Sequence, residues 1–333
     1  MNKTKVAVIG LGGIAQLVHL PNLSKIGNVV ISAVAETNKS RLNAVADKFN
    51  IKERYTDYNE LLKNSDVEAV IVATPTSTHK DVAIACLRAD RHVLVEKPLA
   101  RTYKEAKPIV EAAQKHKKHV MVGMNFRYRP DAMILKSILA SGEAGQPFYV
   151  KAGWVRSQSS EGKWFTKKNE SGGGVIIDLG IMLLDLSLWI LDYPPVTSVS
   201  TINYSHNTKT VEDTSISFLR CKNSSSINLE TSWSLPLEKD TFYMNVFCNK
   251  GFASLNPFRV YKKIDQQVIE LTPAQTESSL SVLKKSYMNE LKSFIGAVKG
   301  LHPVVSSGDE ALQRMKVVDS MYQSASENKE ILI

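Results

Sequence analysis

The chain has 333 residues, 43% hydrophobic and 23% charged, with a formal net charge of +9. That length suits two domains, and that composition suits a globular protein that buries its core without disulfides or metals. The three cysteines, Cys86, Cys221 and Cys248, lie far apart with no CxxC or Cys/His ligand spacing. This argues against a disulfide framework, offers no Cys/His metal-ligand spacing, and suits a reducing, cytoplasmic setting.

The positive charge does not single out nucleic acid, because the lysines are spread along the chain. The one dense run, residues 115–119 (KHKKH), sits at the expected end of a helix, where cations complement the dipole. No nucleic-acid partner is expected. No run of 18 apolar residues occurs, so no membrane span is expected either. The apolar stretch 6–20 behind a basic start could pass for a secretory leader, but Gly10, Gly12 and Gly13 fit a strand, turn and helix better.

In chain order, residues 5–9 (KVAVI) read as a buried strand and 14–25 as a helix. A second strand follows at 29–35 (VVISAVA), a helix at 39–49 and a short helix at 58–62. Residues 69–73 (AVIVA) form the third clear strand, with a helix over 78–89, a strand at 92–95, a helix over 103–115 and a closing strand at 119–123. Continuous apolar strands separated by amphipathic helices predict a parallel sheet with crossover helices.

Beyond Asn125 the pattern changes. Phe148, Val150, Ala152 and Trp154 occupy alternate positions, as do Ile227, Leu229, Thr231 and Trp233, and Phe242, Met244, Val246 and Cys248. Such alternation predicts antiparallel strands. Residues 175–191 are apolar apart from Asp178, Asp185 and Ser187 and read as a buried helix; 287–299 and 310–326 read as amphipathic helices, with Gly300 as a C-cap.

The first strand runs into Gly10, Leu11, Gly12, Gly13, Ile14 and Ala15, a G-x-G-x-x-A turn opening a helix. The first glycine permits the turn, the second lets the backbone approach a pyrophosphate, and the small third residue lets helix and strand pack closely. Phosphates then meet free amides at the helix N-terminus. Glu36 ends the second strand, where a carboxylate binds ribose hydroxyls and repels a 2′-phosphate, favouring NAD(H). Lys39 and Arg41 nearby leave NADP(H) open.

Thr74, Pro75 and His79 lie in the loop and helix start after a central strand, where open α/β sheets bind ligands. His79 suits a structural imidazole near the cofactor better than a catalytic one. Glu96, Lys97 and Pro98 follow the next strand; a lysine there can exchange a proton with a substrate hydroxyl. Asn125 and Arg127 come just past the last strand of the series, and Lys163 and Trp164 precede three glycines, 172–174, read as a flexible entry to the buried helix.

With the glycine turn, the Ala-Thr-Pro loop ending in His79, Glu96-Lys97-Pro98, the stretch 125–130 (NFRYRP) and 172–180 (GGGVIIDLG) in this order, the chain resembles the Gfo/Idh/MocA family along essentially its whole length. Members are NAD(P)-dependent oxidoreductases acting mainly on sugars and cyclitols. The resemblance implies an α/β Rossmann domain over 1–123. It also implies an α+β domain over 124–333 with a large, mostly antiparallel open sheet that forms a homodimer or homotetramer. It implies cofactor contacts at Gly10, Gly12, Gly13, Ile14, Glu36, Thr74, Pro75, His79, Glu96, Lys97 and Asn125. Substrate contacts fall to Lys97, Arg127, Trp164, Asp178 and Met182.

The family's usual catalytic helix carries Asp-x-Gly-x-His. Here it reads Asp178, Leu179, Gly180, Ile181, Met182, and a thioether carries no proton. The i, i+4 spacing still puts Asp178 and Met182 on one helix face. Three readings follow: a polyol dehydrogenase with Lys97 as acid/base and Asp178 supporting it, with no resident metal; an NAD and sugar sensor; or a lyase, hydrolase or epimerase that uses NAD transiently.

Overall fold

The computed structural model describes residues 3–157, 164–233, 235–273 and 278–333. The chain packs as two compact units, Met1–Asn125 with Tyr287–Met315, and Phe126–Ser286 with Lys316–Ile333.

In the first unit, β1 (Thr4–Ile9), β2 (Val29–Ala35), β3 (Glu53–Tyr55), β4 (Ala69–Val72), β5 (His92–Val95) and β6 (Val120–Val122) form one sheet in the order β3-β2-β1-β4-β5-β6. Every pair is parallel. This is the doubly wound order of dinucleotide-binding domains. The expected apolar runs are its interior: Val6, Val8, Val70, Ile71, Val93 and Leu94 are all fully buried. Strand β3 (ERY) carries no apolar run, and only its pairing with Ala33, Val34 and Ala35 makes it a strand.

The helix expected over 14–25 starts with a wider turn. Residues Ala15–His19 are π-helical, the Leu20 amide reaching back five residues to Ala15 O, before α1 (Leu20–Leu23). Then come α2 (Lys39–Lys48), α3 (Tyr58–Asn64), α4 (Thr76–Arg88) and α5 (Tyr103–His116). Lys115 and His116 stand in the last turn of α5, as the charge reading expects.

A segment from late in the chain also belongs here. β6 is an edge strand, and its backbone finds partners in Ser306: the Val122 amide donates to Ser306 O, and Ser306 Oγ donates to Val122 O, both at 2.9 Å. The sequence reading places a single boundary after residue 123. The segment Tyr287–Met315, which includes Ser306, is grouped with the first unit.

The second unit holds a nine-stranded sheet in the order β14-β13-β12-β11-β7-β10-β9-β8-β15. Its strands are β7 (Pro147–Val155), β8 (Val196–Tyr204), β9 (Thr214–Cys221), β10 (Ser226–Ser232), β11 (Thr241–Cys248), β12 (Gly251–Leu255), β13 (Arg259–Ile264), β14 (Gln267–Glu270) and β15 (Ile331–Leu332). Among the described strands of this sheet, only β7 and β10 pair in parallel. Val150, Ala152, Ile227, Leu229, Met244 and Val246 face inward, as the alternation predicts.

Around this sheet come α6 (Pro130–Ala140), α7 (Lys168–Ser171) and α8 (Ile181–Ile190); α9 (Ser279–Val298) and α10 (Gly308–Glu327) each contribute residues to both units. The α8 helix packs on β7 and β10. By length and a mean hydropathy of 1.8, the segment Lys168–Ile190 could cross a membrane, yet 89% of that window is buried in the protein, as in a core helix.

Candidate active site

Gly10 has φ +89°, and a Cβ there would stand 2.7 Å from Ala73 O, so the turn admits glycine alone. Gly12 and Gly13 differ: a Cβ on either would meet nothing within 4 Å. The surface in front of the helix start is therefore open, with room for a phosphate to approach the backbone.

Glu36 is buried at the end of β2. Its carboxylate accepts the Asn38 amide at 2.9 Å and the Leu11 amide at 3.0 Å, with longer contacts of 3.3 Å from Thr37 Oγ1 and Arg41 Nη1. Burial alone would raise its pKa; the two amides, Arg41 and Thr37 overrule that and hold it below the ordinary carboxylate value. The Leu11 bond ties this carboxylate directly to the glycine turn. An anchored carboxylate beside an open amide-lined turn fits an adenine dinucleotide.

His79 is buried in α4, and both its ring nitrogens meet backbone carbonyls: Nδ1 with Pro98 O at 2.8 Å and Nε2 with Thr74 O at 2.9 Å. Burial lowers its pKa despite these carbonyls. The ring joins the Thr74 loop to the Lys97-Pro98 loop. Its nitrogens thus serve as a bridge between two loops at the carboxyl ends of β4 and β5. Thr74 Oγ1 accepts from Thr78 Oγ1 at 2.8 Å, and Pro75 is exposed at the helix start.

Lys97 is partly buried just past the carboxyl end of β5, and its amide donates to Glu96 Oε2 at 3.2 Å. The other oxygen of Glu96 meets His19 Nε2 at 2.8 Å. Sequence reasoning missed His19. The available signal was a lone histidine one turn after Ala15 on a helix face that otherwise turns apolar residues inward. Asn125, the last residue of the first unit's leading segment, is buried.

In the second unit, Asp178 lies on a π-helical turn, Ile176–Gly180, that leads into α8. The Ile181 amide reaches back to Ile176 O, the same wide turn that follows the glycine loop. Such turns recur at functional sites. Asp178 stays partly exposed, and its Oδ2 accepts from Trp233 Nε1 at 3.1 Å. Met182 is buried. Trp164 is 41% exposed; Lys163 lies outside the described residues.

Arg127 lies in the second unit, just past Asn125. Its side chain is buried and forks onto Asp185, with Nε 2.8 Å from Oδ2 and Nη2 2.5 Å from Oδ1. Tyr193 packs on the guanidinium and donates to the same carboxylate at 3.2 Å. A buried fork of this kind occupies Nε and Nη2 of the guanidinium with the Asp185 carboxylate.

The glycines 172–174 also differ from the flexible entry expected. A Cβ on Gly173 would fall 1.9 Å from Tyr322 Oη, and one on Gly174 would fall 2.0 Å from Glu212 O. Close packing excludes any side chain at both. Among the described residues, no group of three or more His, Cys, Asp or Glu side chains could hold a metal ion.

Comparison with known proteins agrees with this geometry. Residues 4–124 match the family model described as an oxidoreductase family with an NAD-binding Rossmann fold. Residues 133–254 match the GFO/IDH/MocA C-terminal domain. D-glucoside 3-dehydrogenase of Escherichia coli is 25% identical, aligned over 96% of this chain and 95% of its own. Myo-inositol 2-dehydrogenase of Thermotoga maritima is 25% identical over 98% of each chain. The solved levoglucosan dehydrogenase, in complex with NADH and levoglucosan, shares the fold with a TM-score of 0.90 at 19% identity, covering 100% of both chains. The chain therefore belongs to the GFO/IDH/MocA family of oxidoreductases, with an NAD-binding Rossmann fold.

Proposed function

We propose that the protein is an NAD(H)-dependent dehydrogenase that oxidises a secondary hydroxyl of a sugar, cyclitol or similar polyol. The observation that carries this reading is Lys97, placed at the carboxyl end of β5 on the sheet whose β1 leads into the glycine turn. Bound NAD⁺ supplies the hydride acceptor. Gly10, Gly12, Gly13 and Ile14 hold the pyrophosphate, and Glu36 holds the adenosine ribose by giving up its two long contacts to the sugar hydroxyls. With Met182 in the family histidine's place, Lys97 takes the hydroxyl proton as the substrate is oxidised and returns it in the reverse direction. Asp178, held by Trp233, is the supporting carboxylate.

A second reading, sensing without turnover, draws on the burial of Met182 as ordinary core. One assay separates the two. The purified protein is mixed with NAD⁺ and a panel of inositols and glucosides. Reduced nicotinamide absorbance supports the dehydrogenase; cofactor binding without turnover in either direction supports the sensor.

The resemblance also suggests a homo-oligomer formed through the open sheet. Phe148, Ile202 and Ile216 are 50%, 58% and 44% exposed, and Ile202 pairs with Ile216 across β8 and β9. Light scattering of the purified protein tests this. Three buried, unpaired cysteines suit a cytoplasmic setting.

A further inference from the structure

The turn that carries Asp178 is held at its start by a buried carboxylate from a distant part of the sequence. Glu212 lies just before β9, and its side chain is buried. Oε1 accepts the Gly174 amide at 3.0 Å, the Ile176 amide at 2.9 Å and the Tyr322 hydroxyl at 2.8 Å; Oε2 also meets the Gly174 amide, at 3.1 Å. The main chain of Glu212 joins in, its carbonyl accepting the Val175 amide at 3.0 Å. Three successive amides, which a helix start leaves without intrahelical partners, are thus taken by one residue.

Tyr322 completes the arrangement from α10. Its hydroxyl donates to Glu212 and lies 3.2 Å from the Gly174 amide. The space it occupies is where a Cβ of Gly173 would be. On the other side of the same turn, Trp233 fixes the Asp178 carboxylate, and its own amide donates to Asp213 O at 2.9 Å, next to Glu212 in the chain. Val175, Leu179, Val211 and Trp233 form one buried apolar cluster beneath. The segment 211–213 therefore meets the turn twice: Glu212 holds its backbone, and the Asp213 carbonyl holds the main chain of Trp233, whose indole donates to the Asp178 carboxylate.

We propose that Glu212 and Tyr322 are positioning residues that fix the π-turn bearing Asp178, and through it the direction of the Asp178 carboxylate. Neither touches substrate. The proposal rests on the reading of Asp178 as the supporting carboxylate, and it assigns glycines 173 and 174 a definite purpose, that of letting a carboxylate and a phenol reach the turn. Catalysis is sensitive to such placement, since displacements near 1 Å cost rate even when the chemistry is untouched.

Two measurements test it together. The first is the indole N–H spectrum, with Trp154, Trp164 and Trp189 as internal controls and Trp233→Phe to assign the fourth signal. Tyr322→Phe should move the Trp233 signal and speed its exchange with solvent while the other three stay in place. The second is kinetic, with the best polyol from the panel above, or myo-inositol binding by calorimetry with NADH present if no polyol turns over. Tyr322→Phe should lower kcat, or polyol affinity in the sensor case, about three- to tenfold, with KM for NAD⁺ little changed and Tm down by a few degrees for the lost buried hydrogen bond. Glu212→Gln, which turns an amide donor toward backbone donors, should do the same more strongly. The double variant Tyr322→Phe with Asp178→Asn should be no worse than Asp178→Asn alone, because both act through one carboxylate.

An unmoved Trp233 signal, or penalties that multiply in the double variant, overturns the proposal and leaves Glu212 and Tyr322 as fold stabilisers only. A moved signal with Asp178→Asn at full activity sinks the role given to Asp178 while leaving the latch itself standing.

Discussion

His19 Nε2 lies 2.8 Å from Glu96 Oε1, with the imidazole fully buried and the carboxylate 14% exposed. This pair joins the helix that follows the glycine turn to the residue preceding Lys97. Burial would raise the pKa of Glu96, but the His19 contact, the Lys97 charge and the Lys97 amide hold it below the ordinary carboxylate value. His19→Ala leaves Glu96 Oε1 without its His19 donor and should cost about 1.5–3 kcal/mol of stability, the range for a hydrogen bond to a charged group. Thermal denaturation against the unsubstituted protein measures it, and an unchanged Tm would show that the pair carries no stability.

The glycines of the first turn should separate folding from binding. Gly10→Ala pushes a Cβ to 2.7 Å from Ala73 O at a φ of +89°, so the variant should lose stability or fail to accumulate as soluble protein. Gly12→Ala meets no protein atom within 4 Å and should keep its Tm. Calorimetric titration with NADH should nevertheless find its affinity at least about tenfold weaker, since the new methyl stands where the pyrophosphate approaches.

Lys97→Met removes the proton carrier while keeping an unbranched chain of similar length. In the dehydrogenase reading kcat should fall by about 10² to 10⁴, the usual worth of general acid–base catalysis, with NADH affinity retained. Stopped-flow measurement of nicotinamide reduction is the check. A variant with unaltered kcat would move the acid/base role to another residue.

The acid limb of stability should depend on His92. Burial, then neighbouring His119 and Lys118, lower its pKa to about 4 from an ordinary 6.5. Its ring lies 4.7 Å from that of His119, and its Nδ1 accepts the His119 amide at 3.1 Å. Between these two values the unfolded chain binds a proton that the folded one refuses. The His92 contribution is therefore complete above pH 6.5 and is lost as pH falls toward 4. His92→Gln should flatten the decline of Tm across that window, as read by circular dichroism at stepped pH. An identical slope in the variant would rule out His92 as its source.

Much of the active-site frame was legible from residues alone. The parallel sheet showed in runs such as Val70, Ile71 and Val72, because a strand covered on both faces must be apolar throughout. The cofactor turn showed in Gly10, whose φ no other residue tolerates well. The second sheet showed in alternation at Val150, Ala152, Met244 and Val246, set by the two-residue period of a pleated strand. What stayed hidden were pairings between residues far apart in the chain: His19 with Glu96, Arg127 with Asp185, and Glu212 with Tyr322 and Gly174.

The sequence by itself determined the order of elements, the cofactor turn and the loss of the family histidine at Met182, because backbone preference and burial period act over a few neighbouring residues. Only the tertiary structure decided which charges face each other, that Arg127 pairs with Asp185, and that Tyr287–Met315 joins the first unit. Partner choice for a buried polar group depends on which distant segments fold against it, and local pattern carries no record of that.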